Sequence, residues 1–368
     1  MITESGATLR KVILDWQVPA ILIFGLVLIT AMASLFGSSV ISTTIVEMMI
    51  RVVVVVGIYI FIGNSGIISF GHIGFMCVGA YAAAWLGADP IFKDVMLSGL
   101  PDIVRQNQYP FVVGIALAVL LPTCVALGLG IAIMRLSGVG SSIATFAFLM
   151  IVNSLYSNWD SVTAGVSSIT GIPTLVEPWT AVVFAGVAIC IAFAFQTSRF
   201  GIMLKATRDD PIAAVASGVG LVGVRLLAFV LSAAVVGAGG GLYAYFLGIL
   251  TVDPFYLQLC FLTIAMLVVG GMSSLTGAVS GVVFVTIVTE FLRALERGEG
   301  FLALPTGSQE LGLGVLMAVM LVVRPLGLSN GKEISLVPRR GMKRLLNQKI
   351  EIVSAGVEPA SAETVKRG

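Results

Sequence analysis

The chain has 368 residues, 58% hydrophobic and only 11% charged, and its 21 Lys and Arg against 19 Asp and Glu leave a net charge of +2. With a mean hydropathy of +1.05 this is not the composition of a water-soluble domain, and no nucleic-acid partner is expected. The expected fold is an all-α, polytopic helical bundle embedded in a membrane.

A helix crosses the roughly 30 Å hydrocarbon layer in about 20 residues, and a charge at its centre costs on the order of 2.5–3.5 kcal/mol, so charges should gather between spans. Apolar runs at 17–36, 45–62, 68–87, 110–134, 140–158, 179–197, 225–248, 257–270, 276–294 and 309–323 predict about ten helices. The run 257–270 is too short to cross unaided and is expected to be tilted, broken or re-entrant. This divides the chain into an amino-terminal tail (1–16), a transmembrane domain (17–323) and a carboxy-terminal tail (324–368).

In chain order, Arg10 and Lys11, the first apolar run and Ala31-Met32-Ala33 have the grammar of a secretory signal, although an uncleaved anchor is the expected reading. Glu47 and Arg51, and later Glu290 and Arg293, can each pair on one helix face near a predicted end, where neutralisation at the interface is favoured over ion coupling. Two Gly-rich segments, Gly63–Gly74 (GNSGIISFGHIG) and Gly270–Gly281 (GGMSSLTGAVSG), each join one apolar run to the next. Within a membrane, non-helical backbone persists only where protein or a water-filled cavity satisfies it. Two readings stay open for them: a translocation path flanked by Asn64, Ser65, Ser69, His72, Ser273 and Ser274, or close helix packing of the Gly277-x-x-x-Gly281 kind. His72 is either a functional ionisable group or a residue that caps backbone and packs at a helix start.

Cys77, Cys124, Cys190 and Cys260 all fall within predicted spans and imply neither a disulfide framework nor a metal site. The loops at 88–109 and 159–178 are the longest pieces between spans, and no catalytic constellation appears. Gly331-Lys332 is followed by Glu333 and lacks the spacing of a phosphate-binding loop, so the chain is read as a transport subunit, not an enzyme, and any ATP hydrolysis must come from a partner. The tail from 324 reads as disordered.

Charged and helix-capping signals concentrate in Arg199–Gly218 (RFGIMLKATRDDPIAAVASG), within the loop 199–224. Asp209 or Asp210 can cap a helix, Pro211 suits its first position, residues 212–216 continue it, and Gly218 can close it in a left-handed conformation. Its face of Ile212, Val215 and Ala216 has nothing soluble in this chain to bury against. A partner surface is therefore the expected destination, the alternative being lipid headgroups drawn to Arg199, Lys205 and Arg208. Placing this loop and both termini in the cytoplasm puts 16 of the 21 basic residues inside and 5 outside (Arg51, Lys93, Arg105, Arg293 and Arg297).

The blocks RFGIMLKATRDDPIAAVASGVG, LLAFVLSAAVVGAGGGLYAYFLG, VDPFYL and MLVVGGMSSLTGAVSG, with NSGIISFGHIGFMCVGAYAAAWL before them, resemble in content and order the permease of high-affinity branched-chain amino acid ABC importers, the LivM type. The resemblance covers most of residues 45–323. It implies a multi-pass protein of the bacterial inner membrane whose loop helix, Thr207–Gly218 (Thr207, Arg208, Asp209, Asp210, Pro211, Ile212, Ala213, Ala214, Val215, Ala216, Ser217, Gly218), docks on an ATPase. It further implies two ABC ATPase subunits that carry the ATP and Mg, a second related permease, a periplasmic binding protein and leucine, isoleucine or valine as cargo, with no cofactor bound by this chain. The same family includes permeases for urea and short amides. A proton- or sodium-driven secondary transporter is the alternative of another class, and it would favour acids at mid-membrane, of which this sequence offers few.

Overall fold

The computed structural model describes residues 16–37, 39–136, 138–297, 305 and 307–334. Val18–Glu333 form one compact unit; of the other, Met1–Gln17 with Ile334–Gly368, only Trp16, Gln17 and Ile334 are described. Each of the ten expected apolar runs is a helix: α1 (Gln17–Phe36), α2 (Ser39–Ser65), α3 (His72–Gly87), α6 (Phe111–Ile133), α7 (Val139–Asn158), α9 (Pro178–Thr197), α12 (Leu221–Leu247), α13 (Leu257–Gly270), α14 (Leu275–Glu296) and α15 (Ser308–Val323). Shorter helices fill the connections: α4 (Pro90–Met96), α5 (Asp102–Arg105), α8 (Asp160–Thr163), α10 (Arg199–Asp209) and α11 (Pro211–Ala216).

By length and composition, 7 helices among the described residues can cross a membrane, or 8 if α3 and α4, bent by 115°, count as one span. The shortfall from ten lies in α3, α13 and α15, each too short alone. For α3 the cause is visible: its first residue, His72, lies beside Phe61 of α2, with ring centroids 5.7 Å apart. The chain runs past Phe61 to the end of α2, turns, and returns as non-helical backbone over residues 66–71 before helix resumes.

The centre of the unit is α2, with 89% of its apolar window buried against 28% for α6. It packs against α9, α12 and α14, while α12 also packs against α3 and α6. Small residues set these distances. A Cβ on Gly237 of α12 would strike Pro122 and the Ala118 carbonyl of α6, and one on Gly240 would strike the Met76 carbonyl of α3. The same holds for α13 on α14, where Gly281 faces Gly270, so the Gly277/Gly281 pair does serve close packing. Glu47 and Arg51 are ion-paired as expected. Because α2 begins at Ser39, however, the pair lies two to three turns inside the helix and not at its end.

The connection 88–110 is built around a lysine. Lys93 is fully buried, and its Nζ donates to the carbonyls of Asn107 (2.6 Å), Val104 (2.9 Å) and Trp85 (3.3 Å). Asp89 caps α4 through Ile91 N (2.8 Å), and Asp89 N bonds Gly171 O (3.1 Å). Ile169 and Leu250 exchange backbone bonds of 2.8 and 2.9 Å, so the connections 88–110, 159–177 and 248–256 interlock at one end of the unit.

Lys93→Met keeps the apolar stem but takes the donor away from three carbonyls, a loss of about 1 kcal/mol or more in all. Hydrogen exchange across 97–107 is expected to quicken by at least about tenfold while α12 keeps its protection; unchanged exchange there would show that the lysine does not hold the loop.

Candidate functional site

At the opposite end four segments meet: 66–71, 198–220, 271–274 and 324–333. The first carries six residues of non-helical backbone inside the helical unit, and protein groups answer it. Gly66 N bonds Ile62 O (2.9 Å), Ile67 N bonds Ser65 Oγ (3.2 Å), Ser142 Oγ donates to Ile68 O (2.6 Å) and Cys260 Sγ to Phe70 O (3.3 Å). Gly66 takes φ +71°, the left-handed conformation that ends α2.

Four of the six candidate path residues lie on or beside this bend. Asn64, Ser65, Ser69 and His72 are all buried. Asn64 donates to Ile60 O (2.9 Å), but its Oδ1, the hydroxyls of Ser69 and nearby Ser141, and both ring nitrogens of His72 meet no partner at hydrogen-bond geometry. Phe61, Phe75 and Phe229 surround the His72 ring at 5.7, 6.1 and 5.7 Å. His72 therefore packs against aromatics at a helix start without capping one. The other two candidates belong to a different structure: Ser274 caps α14 through Gly277 N (3.0 Å), and Ser273 is exposed.

The loop contains two helices where the sequence reading expected one. Ser198 Oγ caps α10 through Gly201 N (3.2 Å), and Leu204 and Thr207 bury its inner face. Asp210, not Asp209, caps α11, accepting from Ile212 N (2.9 Å) and Ala213 N (3.0 Å); Asp209 ends α10 beside Arg208 Nε (3.3 Å). Gly218, at φ +85°, closes α11 with Gly218 N on Val215 O (2.9 Å) and Val219 N on Ala214 O (3.1 Å), the paired bonds of a Schellman motif. Ile212 is 82% and Val215 53% exposed, and Ala216 is exposed with them, whereas Ala214 is turned inward.

Three features were not foreseen from sequence. Arg208 reaches back from α10, and its Nη1 donates to Gly63 O at the end of α2 (2.9 Å). Tyr59 donates to Gln196 Oε1 (2.5 Å), tying α2 to the end of α9. The third lies in the tail that reads as disordered, where residues 324–333 make ordered contacts: Leu328 N bonds Val269 O (2.9 Å) and Ser329 N bonds Gly270 O (3.0 Å), closing α13. Ser329 Oγ meets Ser274 Oγ (2.7 Å), and the Glu333 carboxylate accepts from Leu275 N (2.8 Å), Thr276 N (3.0 Å) and Thr276 Oγ1 (2.7 Å), capping α14. The segment is held because it supplies partners that both helix ends otherwise lack. Residues 335–368, with Arg339, Arg340 and the remaining basic groups of the tail, lie outside the described residues. Lys205 of α10 is held below the usual lysine range by burial, with Glu333 acting against that shift and Arg208 with it.

The family model for the branched-chain amino acid transport system permease component matches residues 40–324. The chain is similar to the high-affinity branched-chain amino acid transport system permease protein LivM of Salmonella typhimurium, 26% identical over 317 residues that cover 76% of this chain and 68% of that protein. It is 25% identical to the protein of the same name from Escherichia coli, with the same coverage. No solved structure gives a significant match.

Glu333→Gln removes the charge from the α14 cap while keeping an acceptor, and Glu333→Ala removes both. The loss of a capping carboxylate costs about 1 kcal/mol, a fall in thermal midpoint of roughly 2–4 °C, with Glu333→Ala expected to fall further. Midpoints unchanged within about 1 °C for both variants would show that the returning segment contributes nothing to the fold.

Proposed function

The chain belongs to the branched-chain amino acid transport permease family, and on that footing we propose that it is the membrane-spanning permease subunit of an ATP-binding-cassette importer in a bacterial inner membrane. The observation that carries the reading is α11: a helix of six residues, capped at both ends, that turns Ile212 and Val215 away from its own protein. Apolar side chains held rigidly outward on a charged loop suit a cleft on another protein. In this reading α11 is the coupling helix and its partners are two cytoplasmic ATPases, which carry the ATP and Mg. The loop and both termini then lie in the cytoplasm, and the interlocked connections 88–110, 159–177 and 248–256 face outward, where a binding protein delivers leucine, isoleucine or valine. A second, related permease completes the path.

Transport proceeds by alternating access. Nucleotide shifts the equilibrium between inward- and outward-open states only by its differential affinity for them, so the ATPase pair must hold α11 differently in each. The buried polar groups of Asn64, Ser69 and His72, with Asn64 Oδ1 and the Ser69 hydroxyl unpartnered, then lie where a moving bend can meet cargo or water. Glu47 favours a partner-driven machine over a proton-driven one, since its carboxylate is already ion-paired with Arg51.

Ile212→Glu combined with Val215→Glu tests the docking face without disturbing the interior, because both side chains are exposed. The ATPases are expected to be lost from the purified complex and uptake to fall by at least about tenfold, with membrane insertion unchanged. Retained ATPases with full uptake would remove the coupling assignment.

A further inference from the structure

We propose that Arg208 is a positioning residue through which displacement of α11 is transmitted to the bend between α2 and α3. The proposal rests on the coupling reading above and names the link that reading leaves out. Arg208 grips the end of α2 from two sides. Its Nη1 donates to Gly63 O (2.9 Å), a carbonyl of the final turn, where the helix dipole favours a cation. Its stem lies across Gly66, where an added Cβ would stand 2.6 Å from Arg208 Cγ and 3.0 Å from Cδ. Gly66 therefore serves both the left-handed turn and the approach of this side chain.

The other end of the link is short. Between Arg208 and the first residue of α11 stand only Asp209, the last residue of α10, and Asp210, the α11 cap. Asp210 N also bonds Ala206 O (3.0 Å), so the junction is hydrogen-bonded on both sides and has little slack to absorb a displacement. Beyond Gly66 the chain has no helical bonds until His72, while α3 is locked to α12 by contacts that leave no room for a Cβ at Gly79 or Gly240. Motion arriving through Arg208 therefore falls on 64–71, the stretch that carries Asn64 and Ser69. A residue that only capped α2 would affect stability, but it would not make the bend follow α11.

The test uses the transporter reconstituted with its ATPases and spin labels at Ser217, behind α11, and at Ile68 in the bend, each measured against a reference label at Ser167 in the connection at the far end. In the parent, both distances are expected to change when ATP binds. In Arg208→Gln the Ser217 distance should still change while the Ile68 distance no longer follows, with uptake reduced at least about tenfold. Arg208→Lys, which keeps a donor and a charge but not the planar fork, should restore part of both. An Ile68 distance that follows ATP in Arg208→Gln as it does in the parent overturns the proposal. A Ser217 distance that never changes in the parent removes the coupling reading, and the proposal with it. Should Arg208→Gln fail to reach the membrane, hydrogen exchange on the unaltered complex decides: protection at 66–69 is expected to change with ATP in step with 210–214, and constant protection at 66–69 overturns the proposal.

Discussion

Backbone without helical hydrogen bonds is the constraint from which the rest of this architecture follows. Residues 66–71 interrupt the helical ladder, with Ile67, Ser69 and Gly71 buried and Gly66 and Ile68 exposed, so their N–H and C=O groups need partners that a helix does not supply. Ser65, Ser142 and Cys260 each come from a different helix to do so. The α13–α14 turn meets the same demand with the returning segment 324–333, which supplies N–H groups to one helix end and a carboxylate to the other. Both breaks, and the loop that carries α11, occupy one end of the unit.

The remainder divides by how tightly it can move. Where α12 meets α3 and α6, glycines bring backbones so close that no side chain fits between them, and such an interface shifts as a body or not at all. At the broken end two of the ties between elements, Tyr59 to Gln196 and Arg208 to Gly63, are polar bonds that can be exchanged at modest cost. A transporter needs both: a rigid body to carry displacement across the membrane and an adjustable end at which that displacement begins.

Much of this was legible from residues alone. Periodicity and charge placed all ten apolar helices, because hydrocarbon penalises each polar interruption and the signal is local. The α11 caps were legible for the same reason, since Asp210, Pro211 and Gly218 act within a few residues of themselves. What was illegible acts over distance. Glu333 lies 58 residues from the amide it caps, Tyr59 lies 137 from Gln196 and Arg208 lies 145 from Gly63, and no pattern in the chain announces such partners. Gln196 carried no sequence signal of its own, and Glu333 stood out only as the residue that spoils a phosphate-binding loop. The depth of the 66–71 bend was hidden as well, because an apolar sequence reads as span whether it is coiled or extended.

The returning segment also imposes an order on biosynthesis. The α14 cap is still unmade when α14 leaves the ribosome: Glu333 follows Leu275 by 58 residues, or roughly 3–12 s at about 5–20 residues per second. Throughout that interval the α13–α14 turn must wait in the membrane or the translocation machinery without the Glu333 carboxylate on Leu275 N and Thr276 N. The last described stretch of the polypeptide to be synthesised is thus the one that seals an early break, and nascent chains ending before residue 333 are the ones a quality-control protease would find open at that turn.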